Sequence, residues 1–222
     1  MTDNRVEALF KNESEPTTRE KILDVAIDSI ARRGFEAVSI RDIAREVGIR
    51  ESSIYNHFKS KDEILDTIIE YFMVELSRSD PFETPMDVML EKYGPEGFMN
   101  MAGRAYLERI NRPRIARIWR IIAIELYRNE KVRQFFRTTM VQVPVSAWEQ
   151  TFRRMAELGY IRECDTGVLA REFFYYSIYL FFDYFVISFN ESTYCRFTED
   201  MLEDLGPHIK FMMDAIKVGG AQ

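Results

Sequence analysis

The chain has 222 residues, 46% of them hydrophobic and 14% aromatic, so it can bury a sizeable core without disulfides or metal ions. Glycine and proline are sparse, at 10 and 7 residues, and alternating strand patterns are nearly absent, which predicts an all-α fold. The net charge of −6 argues at first against a nucleic-acid-binding protein. However, residues 32–61 hold seven basic and four acidic side chains, a balance of +3, which leaves −9 for the rest of the chain.

Three features bear on the cellular compartment. Cys164 and Cys195 fit no metal-ligand spacing and are interpreted as ordinary thiols of a reducing cytoplasm, with a redox sensor as the alternative. Residues 1–16 are polar and charged, so we expect a flexible leader rather than a secretory signal. The apolar stretch 173–189 is interrupted by Asp183 and falls short of the roughly 20 apolar residues that span a membrane. A buried helix is the preferred interpretation, and a transmembrane helix is the alternative.

The first predicted helix begins at Thr17, which forms a capping-box pattern with Glu20 three residues later. Its apolar face ends before Gly34, at the position where a residue with positive φ closes a helix. Ser39 is the predicted N-cap of a second, short helix, and Gly48 ends that helix. The local signals for starting and stopping therefore agree with the apolar periodicity.

A further short helix is predicted after this glycine, because Ile54 and Phe58 continue an apolar face. Two short helices joined by a glycine turn, with another helix before them, predict a helix-turn-helix. Ser60 and Glu63 form a capping-box pattern that begins a long helix ending near residue 77. We therefore divide the chain into a leader over 1–16, a helix-turn-helix domain over 17–62 and a helical body over 63–222.

The body contains shorter segments separated by proline and glycine. Pro95 suits the first position of a helix, whereas Pro144 and Pro207 are expected to bend or split theirs. The helices of the body are predicted at about 96–110, 113–128, 130–158, 166–189 and 198–217.

The segment 18–72 resembles the DNA-binding domain of the TetR (tetracycline repressor) family of bacterial and archaeal regulators. The matching landmarks are Arg33-Gly34-Phe35, Val38-Ser39-Ile40-Arg41-Asp42-Ile43-Ala44, Gly48-Ile49, Ile54-Tyr55-Asn56-His57-Phe58 and Ser60-Lys61-Asp62-Glu63-Ile64-Leu65. This combination covers about a quarter of the chain, and the remainder agrees with the family in length and helical character. The resemblance implies a homodimeric DNA-binding regulator with a C-terminal helical domain for ligand binding and dimerisation, and no enzymatic activity. It implies most directly a repressor that a small molecule releases from its operator.

The candidate DNA-contacting residues lie in and around the two short helices. They are Ser39, Arg41, Arg45, Arg50, Glu51, Ser52, Ser53, Tyr55, Asn56, His57, Lys59 and Lys61. The resemblance implies phosphate contacts for Tyr55, His57 and Lys61. A core tyrosine is the alternative for Tyr55, and a solvated face is the alternative for Arg41 and Arg45, which lie one turn apart.

Two positions depart from the family pattern. Arg50 stands where many relatives carry Ser or Thr, so the recognition helix lacks its usual side-chain cap. Its guanidinium is a candidate for a phosphate or for guanine. Glu51 either interacts favourably with the helix N-terminus or accepts a hydrogen bond from cytosine N4. These departures leave the operator sequence open.

The resemblance also implies an effector pocket in the body and a dimer interface formed by the last two helices. Adaptable methionines and aromatic side chains suit a hydrophobic or aromatic effector, although such residues are more often core. The candidate effector-binding residues are Phe98, Met101, Tyr106, Trp119, Ile122, Glu125, Phe136, Met140, Trp148, Phe152, Tyr175 and Tyr176. The candidate interface residues are Tyr179, Phe182, Phe185, Met201, Leu205, Ile209 and Met212, with a monomer core as their alternative role.

Two other functional classes remain as alternatives. One is a helical lipid-binding protein or enzyme with an incidental helix-turn-helix, but the sequence contains no HExxH motif, phosphate loop or nucleophile elbow to support it. The other is an architectural DNA-binding protein without an effector. We expect no cofactor, no metal site and no membrane partner; the expected partners are operator DNA, a second copy of the chain and a small hydrophobic molecule.

Overall fold

The computed structural model of the chain describes residues 6, 9, 15–77, 84–188 and 197–218. In chain order its helices are α1 (Thr18–Arg33), α2 (Ile40–Val47), α3 (Glu51–Ile54), α4 (Lys61–Ser77), α5 (Met86–Ile110), α6 (Pro113–Glu125), α7 (Glu130–Phe135), the π-helical segment π1 (Phe136–Gln142), α8 (Val143–Glu157), α9 (Thr166–Phe182), the π-helical segment π2 (Asp183–Ile187) and α10 (Phe197–Ile216). Outside these helices, one isolated antiparallel bridge joins Ile161 and Lys217. The all-α prediction is confirmed for the described residues.

The chain forms two compact units. The first unit comprises Met1–Ser79 and Arg112–Arg128, and the second comprises Asp80–Asn111 and Asn129–Gln222. The first unit therefore contains α1 to α4 together with α6, and this grouping differs from the boundary expected at residue 63. The difference arises because α6 packs against α1, although 79 residues lie between the end of α1 at Arg33 and the start of α6 at Pro113.

Side-chain caps define the helix starts in the first unit. The Thr17 hydroxyl accepts a hydrogen bond from the Glu20 N–H, and the Glu20 carboxylate accepts one from the Thr17 N–H, so the predicted capping box is present. Ser39 caps α2 in the same reciprocal way, with Asp42 as its partner. Gly48 ends α2 in the left-handed conformation, at φ 81° and ψ 29°, which only glycine adopts without steric cost. These local predictions are confirmed.

Prolines shape the helices of the second unit. Gly94, at φ 68°, interrupts α5, and Pro95 begins its second half as predicted. The predicted split at Pro144 takes the form of π1, which ends at Gln142, directly before the helix that contains this proline. A proline lacks an N–H and crowds the carbonyl four residues before it, so a wider helical turn at this point avoids the clash. Pro207 lies inside α10, which continues through it.

The core of the second unit includes the contact between α5 and α10. Met201, Leu205, Ile209 and Met212 on α10 are all buried within the single chain. A Cβ added to Gly103 on α5 would lie 3.1 Å from Leu205 Cδ2, so the two helices approach closely at this point. These four α10 residues, predicted to form the dimer interface, are therefore core residues of the protomer.

The remaining predictions concern the termini and the apolar stretch. Val6 and Leu9 are buried, which differs from the flexible leader expected over 1–16; the other residues before Glu15 lie outside the described part of the chain. The stretch 173–189 belongs to α9 and π2 up to Ile187; Ser188 follows π2, and residue 189 is not described. Among the described helices, none has the length and apolar character that a bilayer crossing requires.

Candidate nucleic-acid interface

The helix-turn-helix is held together by a small apolar core. Ile43 on α2, Ile54 on α3 and Phe58 after α3 are each at most 1% exposed. The Phe58 N–H donates to the Ile54 carbonyl at 2.9 Å, so the chain turns directly after α3. Because α3 has only four residues, it has little helical stability of its own, and these buried side chains fix its orientation.

The candidate DNA-contacting residues lie mainly on the outside of this core. All are exposed except Ser53 and Lys61, which are half-buried. Tyr55 is 51% exposed, which argues against the alternative of a core tyrosine. Arg50 precedes α3 and makes no side-chain capping hydrogen bond, as predicted from its sequence. The exposed candidates therefore lie on and around α2 and α3, whereas Lys61 is the half-buried first residue of α4.

Asp42 organises the N-terminus of α2. Its carboxylate accepts hydrogen bonds from the Ser39 hydroxyl at 2.6 Å and the Ser39 N–H at 3.1 Å, and it also accepts one from Arg45 at 2.7 Å. The Ser39 hydrogen bonds, together with the charges of Arg45 and Arg33, lower the pKa of Asp42 to about 2. This carboxylate was not among the candidates, although the Ser-x-x-Asp spacing is a capping-box variant that could have identified it.

Arg45 and Lys61 both have partners within the protein. Arg45 pairs with the Asp42 carboxylate while its side chain stays 72% exposed, so it is accessible to a phosphate. Lys61 donates from Nζ to the Phe35 carbonyl at 2.9 Å, and the same Nζ lies 4.2 Å from the centre of the Phe35 ring. Lys61 is thus fastened to the segment between α1 and α2, a contact that its sequence position alone did not indicate.

Arg19 is a cationic residue that the sequence reasoning missed. Its guanidinium carbon lies 5.0 Å from the centre of the Phe58 ring, which places a positive charge from the first turn of α1 beside the chain that leaves α3. No local pattern distinguishes Arg19 from other arginines near a helix start. Only the packing of α1 against the end of α3 identifies it.

Arginines at every third position of α6 bind it to α1. Arg114 makes two hydrogen bonds with the Asp24 carboxylate, at 2.7 and 3.1 Å, and Arg117 pairs with Asp28 at 3.0 Å. Arg120 donates to the carbonyl of Ala31 at 2.8 Å. The spacing of three residues places these side chains on adjoining parts of one helix face.

Three candidate effector-binding residues lie on this same helix. Trp119 and Ile122 are buried in the first unit, and the Phe72 ring of α4 meets the Trp119 indole edge-on, with centroids 5.3 Å apart. Glu125 is 3% exposed and accepts a hydrogen bond from the Phe35 N–H at 2.9 Å. All three therefore pack within the first unit, whereas the other nine candidates belong to the second unit.

Those nine residues lie in the second unit, several of them in aromatic contacts. The rings of Tyr106 and Phe181 meet edge-on with centroids 6.2 Å apart, and those of Trp148 and Phe173 do so at 4.6 Å. Phe98, Met140 and Phe152 are buried, Met101, Tyr106, Phe136, Trp148 and Tyr176 are half-buried, and Tyr175 is exposed.

An aromatic contact connects π1 with the end of α9, directly before π2. The ring of Phe136, the first residue of π1, meets the ring of Phe182, directly before π2, with centroids 5.9 Å apart. Segments of π-helix are rare and often occur at functional sites. Phe136 is a candidate effector-binding residue, whereas Phe182 is a candidate interface residue that is instead half-buried beside it.

The candidate interface residues of α9 and π2 also differ in exposure. Phe185 is buried inside the protomer, but Tyr179 is 56% exposed. Tyr175 on α9 and Phe211 on α10 are exposed too, and Phe211, at 73%, was not among the candidates. The stacking of Tyr176 on His208, with centroids 4.0 Å apart, shows that α9 and α10 pack side by side.

Residues 22–68 match the family profile described as "Bacterial regulatory proteins, tetR family". The chain is 41% identical over 58 residues to the HTH-type transcriptional repressor KstR2 of Rhodococcus jostii. That alignment covers 26% of this chain and 28% of the relative, so the chain matches less than a third of the relative's length.

Solved structures are similar over most of the chain. A transcriptional regulator of the TerR/AcrR family from Aquifex aeolicus has a TM-score of 0.63 and 21% identity, with 88% of this chain and 99% of that chain covered. The SmeT–triclosan complex has a TM-score of 0.61 and 21% identity, with 91% and 93% covered. At this level of identity, the likeness shows a shared fold for the two helical units.

Proposed function

We propose that this chain, which belongs to the tetR family of bacterial regulatory proteins through its N-terminal domain, is a homodimeric transcriptional repressor that an effector releases from DNA. The observation that carries the proposal is the exposed polar and basic surface of α2 and α3 above the buried Ile54 and Phe58. A helix-turn-helix places its second helix in the major groove, where side chains reach base edges. Such a protein acts at the chromosome, and we therefore expect it in the cytoplasm.

The proposed contacts divide into two classes. Tyr55 and Arg41, both exposed, hold phosphates and fix the register of the protein on the duplex. Arg50 and Glu51, at the start of α3, read bases. The net charge of −6 is consistent with this role because residues 32–61, which contain α2 and α3, carry a positive balance of +3.

DNA binding is tested by selecting sequences from a randomised duplex library and measuring the selected duplex by gel shift at two salt concentrations. Tyr55→Phe is expected to weaken binding to all sequences, whereas Glu51→Gln is expected to change which sequence is selected. Tyr93→Phe, at a partly exposed tyrosine of the second unit, is the matched control and should bind as the wild type does. Failure of the wild type to enrich any sequence would refute the proposal.

The homodimer is proposed through the exposed aromatic side chains of the last two helices. Tyr175 and Tyr179 lie about one turn apart on α9, and Phe211 lies on the adjacent α10. Large exposed aromatic groups on one helical layer suit a self-complementary interface between two copies. A single recognition helix reads few base pairs, and a dimer reads two half-sites one helical turn apart. Sedimentation at several protein concentrations tests this assembly.

The effector is proposed to bind in the second unit, near the contact between Phe136 and Phe182. The aromatic side chains and methionines among the candidate residues of this unit favour a hydrophobic or aromatic molecule. The similar structure of SmeT is a complex with triclosan. A binding effector raises the melting temperature through mass action, and it must also lower the affinity for the selected duplex. A molecule that stabilises the protein but leaves DNA affinity unchanged contradicts the sensor role.

A further inference from the structure

The backbone of Phe35 is held at its N–H and at its carbonyl by other helices. Its N–H donates to Glu125 Oε1 of α6 at 2.9 Å, and its carbonyl accepts from Lys61 Nζ of α4 at 2.9 Å. The Phe35 ring is itself 5% exposed, with Lys61 Nζ 4.2 Å from its centre. One residue of the connection between α1 and α2 is therefore fixed by two hydrogen bonds to ionisable side chains and by a cation–π contact.

Glu125 is an unusual residue to find in this position. Glu125 is only 3% exposed, so its carboxylate loses much of its hydration, and this cost must be offset by hydrogen bonds. A backbone N–H supplies one such bond, which is stronger because the acceptor is an ionisable group. The fit is close, since a Cβ on the neighbouring Gly34 would lie 3.7 Å from Glu125 Oε1.

The connection that Glu125 holds is the short segment that joins the end of α1 to the start of α2. Gly34 ends α1 with φ 81° and ψ 159°, and Ser39, the N-cap residue of α2, follows only five residues later. Within this span the Val38 N–H donates to the Phe35 carbonyl at 3.3 Å. Movement of Phe35 would therefore shift the start of α2, and with it the recognition helix α3.

The helices that contact Phe35 are also the ones through which the chain of the first unit connects to the second unit. The chain passes between the two compact units at residues 79–80, 111–112 and 128–129. These crossings follow α4 and flank α6 on both sides, and α4 and α6 supply Lys61 and Glu125. The two helices of the first unit that lead directly into the second unit, α4 and α6, are thus the two whose side chains hydrogen-bond to the backbone of Phe35.

We infer that Glu125 is a positioning residue for DNA recognition, which sets the orientation of α2 and α3 by holding the Phe35 amide. The inference rests on the proposed DNA-binding function, and it gives α6 a part in that function although α6 lies outside the matched residues 22–68. Glu125 contacts no DNA in this role. It keeps the reading helix in the orientation that distinguishes one sequence from another.

Three substitutions separate the hydrogen bond from the charge. Glu125→Ala removes the acceptor, Glu125→Asp keeps the charge but withdraws the acceptor by one methylene, and Glu125→Gln keeps an acceptor of the same reach without the charge. Glu130→Ala is the matched control, because it removes an exposed carboxylate that pairs with Arg133 in the second unit. Each full-length variant is measured against the library-selected duplex and against a scrambled duplex of equal composition.

Loss of a hydrogen bond to a charged group corresponds to at least about a tenfold change in an equilibrium constant. Glu125→Ala and Glu125→Asp are expected to lower the ratio of specific to non-specific affinity by about tenfold, while Glu125→Gln and Glu130→Ala stay within about twofold of wild type. If the charge of Glu125 mattered rather than its hydrogen bond, Glu125→Gln would lower this affinity ratio and Glu125→Asp would not. A structural role without positioning would leave the ratio unchanged in every variant that folds. Either result overturns the inference.

Amide hydrogen exchange supplies a readout that does not depend on DNA. Exchange of the Phe35 N–H is expected to accelerate in Glu125→Asp, while amides in the middle of α1 keep their wild-type rates. If the wild type selects no sequence, the proposed function fails but this local result still stands. If the wild type selects a sequence and Glu125→Asp keeps both the affinity ratio and the Phe35 protection, the positioning role alone fails.

Discussion

Replacement of Ile54 by alanine is the most direct test of how the recognition helix is held. Ile54 is the last residue of α3 and is fully buried. Truncation of a buried isoleucine costs about 2–5 kcal/mol of unfolding free energy, because transfer energy is lost and a cavity remains. We expect about 3 kcal/mol here, near the middle of that range, since the surrounding residues belong to a well-packed unit.

The expected change is measurable by thermal unfolding at a fixed protein concentration. For a chain of this length, about 1 kcal/mol shifts the melting temperature by roughly 2–4 °C, so Ile54→Ala should lower it by roughly 6–12 °C. Constant concentration matters because a dimer has a concentration-dependent melting temperature. Circular dichroism, together with tryptophan fluorescence measured in a Trp148→Phe background that leaves Trp119 of the first unit as the remaining tryptophan, reveals whether the first unit unfolds separately from the second.

Ile124→Ala is the matched control for this experiment. Ile124 lies in the same unit on α6, but it is 38% exposed, so the same truncation removes fewer buried contacts. We expect it to cost less than about 1.5 kcal/mol. Similar losses for the two variants would refute the conclusion that burial of Ile54 anchors α3. In the selected-duplex assay, Ile54→Ala should also weaken specific binding more than Ile124→Ala does.

Three further predictions concern charge, packing and assembly. The pKa of Asp42 is lowered from 3.8 to about 2. The contribution of its carboxylate to stability is therefore fully present above pH about 4 and is lost as the pH falls towards 2, and Asp42→Asn should remove this part of an acid-unfolding curve. Gly103→Val should cost about 1–3 kcal/mol in chemical denaturation, because even its Cβ would lie 3.1 Å from Leu205, and an unchanged midpoint would show that α5 and α10 separate easily. Phe211→Glu and Tyr179→Glu should produce monomers in sedimentation without lowering helix content, because both side chains are exposed in the protomer; dimers that persist in both variants would place the interface elsewhere.

Local signals in the sequence predicted the elements of the first unit well. The Thr17 and Glu20 capping box and the left-handed Gly48 depend on interactions between residues at most four positions apart. The same is true of the missing cap at Arg50. Such features are recognisable from spacing because their hydrogen bonds and dihedral angles are set within a single turn of chain.

Residues on α6 and α10 could not be assigned in this way. Trp119 and Glu125 were expected in an effector pocket, and Leu205 and Ile209 at a dimer interface, because the family resemblance implies a pocket and an interface in the body. Helical periodicity identifies the face that is covered but carries no information on which element covers it. In the structure α6 covers α1, and α10 covers α5, both across long stretches of chain.

The sequence by itself determined the helical class, the helix-turn-helix and the accessible residues on α2 and α3, since these depend on composition and local hydrogen bonding. Only the tertiary structure decided that α6 belongs to the same unit and that Glu125 and Lys61 hold the backbone N–H and carbonyl of Phe35. These two contacts join residues 90 and 26 positions apart. No local pattern encodes them, because the partners meet only once the helices have packed.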